Sequence, residues 1–221
     1  MSTSAEPPPL TDAEHPGARP QTARGQRTRA ALVAAARTVF ERDGYVDSRL
    51  VDIAAEAGCS IGSFYTWFDG KDEVLAAVLQ EAQEDMLHPG TGRIAATDDP
   101  VALIAASNRA YFEAYRRNAR LNVLLMQVAA VDPRFRDLRR ARTAAFVTRN
   151  ARAIVDLQER GLADRSVDAT MAARALSGMV SRLAHDVFAI EGEDSLDEIV
   201  ETATRLWTNA LGLTQPELRP S

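Results

Sequence analysis

The chain has 221 residues, of which 46% are hydrophobic and 26% are charged, a composition typical of a folded globular protein rather than a disordered one. Its net charge of -5 argues against a broadly basic nucleic-acid-binding surface, so any DNA-binding role has to come from a local arrangement of residues. One cysteine excludes an internal disulfide framework, and three widely separated histidines give no zinc-ligand spacing, so we expect no metal and no cofactor.

The N-terminal segment and the hydropathy pattern bear on location. Residues 1–23 are polar and rich in proline, without the apolar run that a signal peptide needs, and we predict that they form a disordered arm. Nowhere do about eighteen apolar residues run together. We therefore expect no membrane association and a cytoplasmic protein.

Three short helical patterns follow the arm. From Gln26 onward, apolar residues spaced at i, i+3, i+4, i+7 and i+8 predict one buried helix face: Leu32, Ala35, Ala36, Val39 and Phe40. Gly44 predicts a left-handed stop to this helix. A second helix is predicted with Ser48 as its N-cap and Gly58 at its end, and Ser60 is the predicted N-cap of a third. Two short helices joined by so tight a turn predict a helix-turn-helix.

The predicted third helix lies in the stretch GCSIGSFYTWFDGK, which crowds four aromatic residues together and ends in Lys71, the single lysine of the chain. Phe64 and Phe68 are four positions apart, so a helix beginning at Ile61 buries both on one face. The other side chains face away or lie at the edge: Ile61, Ser63, Tyr65, Thr66 and Trp67. Gly62 would let the backbone approach DNA closely, and Ser60 with the first-turn amides suits a phosphate oxygen. A recognition helix needs this division, because it enters a major groove about as wide as itself.

The rest of the chain also has a helical pattern. A fourth helix is predicted from Lys71 to residue 87, and residues 88–98 contain proline and glycine without periodicity. Asp99 with Pro100 and Asp132 with Pro133 predict two helix starts, the second opening a run to Arg160. Ser195 and Glu198 predict a capping box at the start of the last helix. Since no alternating polar and apolar pattern appears, we predict an all-α fold.

Residues 26 to about 80 resemble the TetR family of bacterial transcriptional regulators. The landmarks are Ala35, Phe40, Gly44, Tyr45, Asp52, Ile53, Ala54, Ala57, Gly58, Ser60, Tyr65, Phe68 and Lys71. The resemblance implies a three-helix DNA-binding domain followed by a larger helical ligand-binding and dimerisation domain. With it we expect an N-terminal arm (1–23), the helix-turn-helix domain (24–70), a connecting helix (71–87), a loop (88–98), the effector domain (99–213) and a tail (214–221).

The resemblance also implies residue roles at the DNA. Groove-facing positions of the family match Ser60, Ile61, Gly62, Ser63, Thr66 and Trp67; phosphate contacts match Tyr65 and Lys71; further backbone contacts match Arg27, Thr28, Ser48 and Arg49. Ile61 and Trp67 depart from the family, which favours more polar or smaller residues there. Alternatively, Tyr65 and Trp67 are core aromatics and Lys71 is a solvated helix-start residue. A cation at the start of a helix opposes the helix dipole, which favours an external anion as the partner of Lys71.

The C-terminal half carries two further expectations. The last two helices have broad apolar faces that predict a homodimer interface, or else internal core: Met171, Ala175, Met179, Leu183, Val187, Ile199, Ala203, Leu206, Trp207 and Ala210. The resemblance implies a small-molecule cavity among the preceding helices, where polar residues interrupt apolar ones: Asn108, Tyr111, Tyr115, Gln127, Asn150 and His185. These polar residues are otherwise hydrogen-bonded structural groups. The run Arg134, Arg136, Arg139, Arg140 and Arg142 is predicted to be a solvated helix face.

The function that these features predict is a homodimeric repressor, released from a palindromic operator in double-stranded DNA by a small apolar or amphipathic ligand. A transcriptional activator of the same family is the first alternative. An α-helical enzyme is the second, and it would depend on His185, the only histidine in the candidate cavity region. Because no nucleophile paired with a base is visible, we expect no enzyme.

Overall fold

The computed structural model describes residues 22–87, 98–190 and 195–213, and within these ranges the chain forms α-helices and no strands. The helices are α1 (Ala23–Asp47), α2 (Leu50–Glu56), α3 (Ile61–Tyr65), α4 (Lys71–Leu87), α5 (Pro100–Arg117), α6 (Ala119–Val131), α7 (Pro133–Glu159), α8 (Ala169–Ala189) and α9 (Leu196–Ala210). The all-α prediction is confirmed. The predicted arm, loop and tail lie outside the described residues, apart from Thr22, Ala23 and Asp98. None of the described helices is long and apolar enough to cross a membrane.

Several helix ends lie where local sequence rules place them. The Asp99 carboxylate accepts from the Val101 amide at 2.9 Å, with Pro100 in the first helical position. Ser195 and Glu198 form the predicted capping box, in which each side chain accepts a hydrogen bond from the other residue's amide. Gly58 has φ of 67°, a left-handed conformation that ends α2 and leads directly into α3.

The junction between α1 and α2 differs from the prediction. The backbone leaves helical geometry at Gly44 (φ 74°, ψ 178°), but one more turn follows before α1 ends at Asp47. The predicted N-cap role of Ser48 is wrong: Arg49 occupies that position, and Ser48 is buried with its hydroxyl donating to the Tyr45 carbonyl at 2.9 Å. The physical reason is that the extra turn places carbonyls without helical partners next to Ser48, and its hydroxyl bonds to one of them instead of capping the amides of α2.

A break between α5 and α6 was not predicted. Asn118 leaves helical geometry there (φ -114°, ψ 15°) and is fully buried. Its side-chain nitrogen Nδ2 donates to the Asp85 carboxylate at 2.8 Å and to the Ala114 carbonyl at 2.9 Å. The long-range contact with Asp85 compensates for ending the helix at a residue that is neither glycine nor proline.

The chain divides into two compact units. The N-terminal unit comprises the described part of residues 6–84 together with 120–141, and its core joins α1 to α4 with α6 and the start of α7, through Phe40, Phe64, Leu75, Leu121 and Phe135 among others. The C-terminal unit comprises 85–119 and 142–213 where described, and its core includes Phe112, Ile154, Leu176, Ala203 and Leu211. Helix α6 thus shares a core with the N-terminal helices, although its sequence position lies within the predicted effector domain. The predicted domain boundaries stay a prediction.

Candidate nucleic-acid interface

One side of α3 is fixed in the core of the N-terminal unit. Phe64 and Phe68 are 0% and 2% exposed, and their ring centroids lie 5.7 Å apart. Ser60 is the N-cap, as predicted, because its hydroxyl accepts from the Ser63 amide at 3.2 Å. A helix of five residues has no stability of its own, so these anchors hold it in place.

The other side of α3 is exposed. Ile61 is 38% and Tyr65 is 54% exposed, and Gly62, Thr66 and the Ser60 cap are exposed beside them. The Tyr65 ring stands edge-on against Phe64, at 5.6 Å between centroids, which fixes its direction without burying it. These five residues form the surface that the sequence predicted for DNA; Ser63 is half-buried beside them, its hydroxyl 3.1 Å from that of Ser60.

Trp67 lies beyond the end of α3 and is half-buried against the core of the N-terminal unit. The outward direction predicted for it assumed that helical rotation continues through residue 67, whereas α3 ends at Tyr65 with Thr66 as its C-cap. The position of Trp67 therefore agrees better with the alternative of a core aromatic.

The predicted backbone contacts at the starts of α1 and α2 have different surroundings. Arg27 is exposed and Thr28 is half-buried, with its hydroxyl donating to the Arg24 carbonyl at 3.1 Å. Arg49 is exposed but makes two hydrogen bonds to Asp52, at 2.8 and 2.9 Å, which raise the pKa of Arg49 and lower the pKa of Asp52. To contact a phosphate, Arg49 would have to give up its hydrogen bonds to Asp52. Ser48, the other predicted backbone contact at the start of α2, is buried.

Lys71 is not directed at an open surface. Its ammonium donates to the carbonyls of Tyr45, Val46 and Ser48, at 2.6, 3.1 and 2.8 Å, and lies 4.7 Å from the centre of the Tyr45 ring. An ammonium has three hydrogens, so these three carbonyls use its donor capacity. Sequence analysis missed this arrangement because the acceptors lie more than twenty residues away in the chain.

Three of the predicted ligand residues come together in the C-terminal unit. The Tyr115 hydroxyl lies 3.3 Å from Nδ1 of His185, and the Tyr111 ring lies 6.1 Å from that of Tyr115. Phe146 and Phe188 flank the two tyrosines, at 5.6 Å from Tyr111 and 6.4 Å from Tyr115. Burial raises the pKa of both tyrosines, and a tyrosine hydroxyl is protonated at neutral pH even without such a shift.

The other predicted ligand residues do not join this group. Asn108 donates to Thr204 at 3.2 Å and Asn150 donates to Ser177 at 2.8 Å, so each ties together two helices of the C-terminal unit. Gln127 is exposed on α6, in the N-terminal unit. A surface groove of about 370 Å³ runs along α7 and the start of α8, past Val147, Ala151, Val155 and Thr170, and none of the predicted ligand residues lines it.

The predicted arginine face of α7 is only partly solvated. Arg142 is 8% exposed, and burial lowers its pKa to about 10. Arg134 is exposed and bonded to two carboxylates, those of Asp72 and Asp132. The prediction failed for Arg142 because a run of charged residues does not reveal which member faces inward.

The predicted dimer residues divide by exposure. Met171, Ala175, Leu206 and Ala210 are exposed, and Met179 and Leu183 are half-buried. Val187, Ile199, Ala203 and Trp207 are buried in the C-terminal unit of their own chain, so they are internal core, the alternative that the sequence left open. The reason is that α9 packs its inner face against α5 and α8.

In the described ranges no three His, Cys, Asp or Glu side chains come together as metal ligands.

Comparisons with known proteins agree with this geometry. The family profile described as bacterial regulatory proteins, tetR family, matches residues 32–78, and the profile of the transcriptional regulator EthR, C-terminal domain, matches residues 104–211. The HTH-type transcriptional regulator TtgR of Pseudomonas putida is 26% identical over 167 residues, which are 72% of this chain and 79% of TtgR.

Two solved structures show the same fold. SmeT, the repressor of the Stenotrophomonas maltophilia multidrug efflux pump SmeDEF, has a TM-score of 0.68 at 23% identity, over 89% of this chain and 98% of SmeT. A transcriptional regulator from Rhodococcus sp. Rha1 has a TM-score of 0.68 at 22% identity, over 88% of this chain and all of the other.

Proposed function

Because the chain belongs to the TetR family of DNA-binding transcriptional regulators, we propose that it is a homodimeric repressor released from its operator by a small molecule. The observation that carries the proposal is the division of α3, with Phe64 and Phe68 buried and Ile61 and Tyr65 exposed. A short helix held so firmly on one side is suited to reading a major groove with the other. The relative SmeT is itself a repressor.

The proposed DNA interface follows from exposure. Ile61, Gly62, Ser63 and Thr66 approach the base edges, where Ile61 can contact a thymine methyl group. Ser60, Tyr65 and Arg27 meet phosphates, supported by Thr28 and by Arg49 once it exchanges Asp52 for DNA. Ser48 is left out because it is buried. Trp67 supports α3 from the core side.

The proposed dimer uses the outer faces of α8 and α9. Met171 is 59% and Leu206 is 45% exposed, and Ala175 and Ala210 extend the two apolar stripes by one helical turn each. Small residues in such stripes let helices of two chains approach closely. A two-fold dimer presents two recognition helices to major grooves about 34 Å apart, which predicts a palindromic operator.

The proposed effector site is the group formed by Tyr111, Tyr115 and His185 with the flanking phenylalanines. Aromatic walls with a few hydroxyl donors suit an apolar or amphipathic ligand that carries an acceptor atom. For release, the ligand has to bind more tightly to a conformation with lower DNA affinity. We propose a regulator and not an enzyme, working in the bacterial cytoplasm, where its operator lies.

The test begins with DNA. Purified protein selects duplexes from a random-sequence pool, and we expect a palindrome that binds with nanomolar affinity at physiological salt. Removing the gene should raise transcription from a promoter that contains this site; a fall would make the protein an activator, and failure to select any sequence would contradict operator binding. Tyr65→Ala should weaken binding, whereas Thr38→Ala, an exposed position of α1, should not.

The dimer and the effector site have their own tests. Leu206→Arg should give monomers by light scattering, whereas Ala144→Arg, on an exposed position of α7, should leave dimers; dimers in both would contradict the proposed interface. Tyr111→Phe and His185→Ala should alter ligand-induced release of operator and leave DNA affinity without ligand unchanged. Loss of a catalytic turnover in His185→Ala would instead support the enzyme.

A further inference from the structure

The end of α1 presents backbone carbonyls that need partners. The turn after Gly44 closes at Asp47, and no basic residue lies in this last turn of α1. The last carbonyls of a helix accept no hydrogen bond from within it and carry partial negative charge. The Lys71 ammonium, at the first residue of α4, donates to the carbonyls of Tyr45, Val46 and Ser48.

A second set of contacts holds the same segment from its side-chain face. The Tyr45 hydroxyl donates to the Asp72 carboxylate, next in sequence to Lys71. Asp72 also accepts from Arg134 at 2.5 Å, and Arg134 is held by Asp132 at 2.7 Å at the start of α7. At the start of α4, Lys71 therefore binds the backbone of the α1–α2 junction and Asp72 binds its tyrosine, and Arg134 at the start of α7 binds Asp72. All of these residues lie within the N-terminal unit.

This junction is the covalent link between α1 and the helix-turn-helix. Ser48 is followed at once by Arg49, the N-cap of α2, and α2 is joined to α3 by the tight turn at Gly58. Between Gly44 and Arg49 the chain forms only the last turn of α1, which ends at Asp47, and the extended residue Ser48. Any freedom there would change the direction of α2 and α3 together.

We propose that Lys71 is a positioning residue for DNA recognition and not a phosphate contact, and that Tyr45, Asp72 and Arg134 act with it to fix the α1–α2 junction. This inference rests on the proposed DNA interface. It also explains why the one lysine of an arginine-rich chain stands here. A compact ammonium donates from one atom to three converging carbonyls, whereas the planar fork of a guanidinium spreads its donors and suits a phosphate better.

That difference gives the decisive experiment. Full-length protein binds the duplex that the wild type selects from a random pool, and affinity is measured by fluorescence anisotropy across a series of salt concentrations. If Lys71 positions the junction, both Lys71→Arg and Lys71→Met lose affinity by about tenfold while the slope of log affinity against log salt is unchanged. If it contacts phosphate, Lys71→Arg binds like the wild type and Lys71→Met reduces the slope by about 1 per subunit; that result overturns the inference.

Two milder variants test the side-chain half of the arrangement, and they serve if a Lys71 variant does not fold. Tyr45→Phe removes only the hydroxyl that reaches Asp72, and Arg134→Gln removes the ion pair. Each variant should lower DNA affinity by about threefold with an unchanged salt slope. The double variant should lose less affinity than the product of the two single losses, because Tyr45 and Arg134 both act through the Asp72 carboxylate. Arg140→Gln, an exposed position of α7, is the control.

The outcomes separate this inference from the proposed function. If the wild type selects no duplex, operator binding itself fails. If the wild type binds and both Tyr45→Phe and Arg134→Gln keep full affinity, or change the salt slope as a lost phosphate contact does, only the positioning role is overturned.

Discussion

The two sides of α3 should respond in opposite ways to truncation. Phe64 is completely buried, with ring neighbours at 5.6 and 5.7 Å in Tyr65 and Phe68. Removing a buried phenylalanine side chain costs about 3–5 kcal/mol, since the apolar contacts are lost and a cavity remains. A small protein has a total stability of about 5–15 kcal/mol, so Phe64→Ala should unfold at much lower denaturant concentration and bind DNA weakly as a consequence.

Tyr65→Ala should instead spare stability and lose DNA affinity. More than half of this side chain is exposed, and its edge-to-face contact with Phe64 is worth about 0.5–1.5 kcal/mol. We therefore expect the two variants to differ by at least about 1.5 kcal/mol in the free energy of unfolding. Urea unfolding followed by far-ultraviolet circular dichroism, at one fixed protein concentration, measures the difference.

Val51→Ala is the matched control, because Val51 is 53% exposed on the neighbouring α2 and should change stability by no more than about 0.5 kcal/mol. The assignment of a buried and an exposed side to α3 is refuted if Tyr65→Ala destabilises the protein as much as Phe64→Ala does. It is refuted equally if Phe64→Ala costs less than about 1 kcal/mol, since α3 would then not depend on this anchor.

Three further predictions concern the turn, the junction and a cap. Gly58→Ala places an alanine in the left-handed conformation and should lower the free energy of unfolding in urea by about 1–2 kcal/mol. Gly70 has no positive φ and has open space around it, so Gly70→Ala should not lower it. Equal losses in the two variants would show that backbone strain at Gly58 is not the cause. Hydrogen bonds from the Tyr45 hydroxyl and from Arg134 lower the pKa of Asp72 from its ordinary value of 3.8. The stabilisation that the ionised Asp72 contributes is therefore present above pH 3.8 and is lost as the pH falls through the lowered pKa of the folded protein. Asp72→Asn should therefore lower the melting temperature at pH 7 and match the wild type in strong acid; a constant difference would contradict this. Ser195→Ala should cost about 1 kcal/mol in thermal unfolding, because α9 loses its cap; no loss would mean that the capping box is not stabilising.

What the sequence predicted well depends on residues close together in the chain. The caps at Ser60, Asp99 and Ser195 each join a side chain to an amide two or three positions on, so a short window contains both partners. The break at Asn118 could not be found in this way. Its compensating partner, Asp85, lies 33 residues away, and the local sequence contains neither glycine nor proline.

Periodicity indicates which residues are buried, but it does not indicate what covers them. The apolar face predicted on α9 is real, yet Ile199, Ala203 and Trp207 are covered by their own chain, and Leu206 and Ala210 stay exposed. Both sets follow helical spacing in the sequence. They are told apart only by where α5 and α8 lie, which is tertiary information.

Lys71 shows that one physical rule can be satisfied by different partners. A cation at the start of α4 does need negative charge nearby, and the sequence offered a phosphate; the structure supplies the carbonyl end of α1 instead. Lys71 is bonded to carbonyls and Arg49 to Asp52, so Arg27, which is exposed on α1, is the predicted interface cation best placed to meet a phosphate. We therefore expect affinity to depend more on hydroxyls, backbone amides and the fit of α3 than on released counterions, which would let a chain of net charge -5 bind DNA.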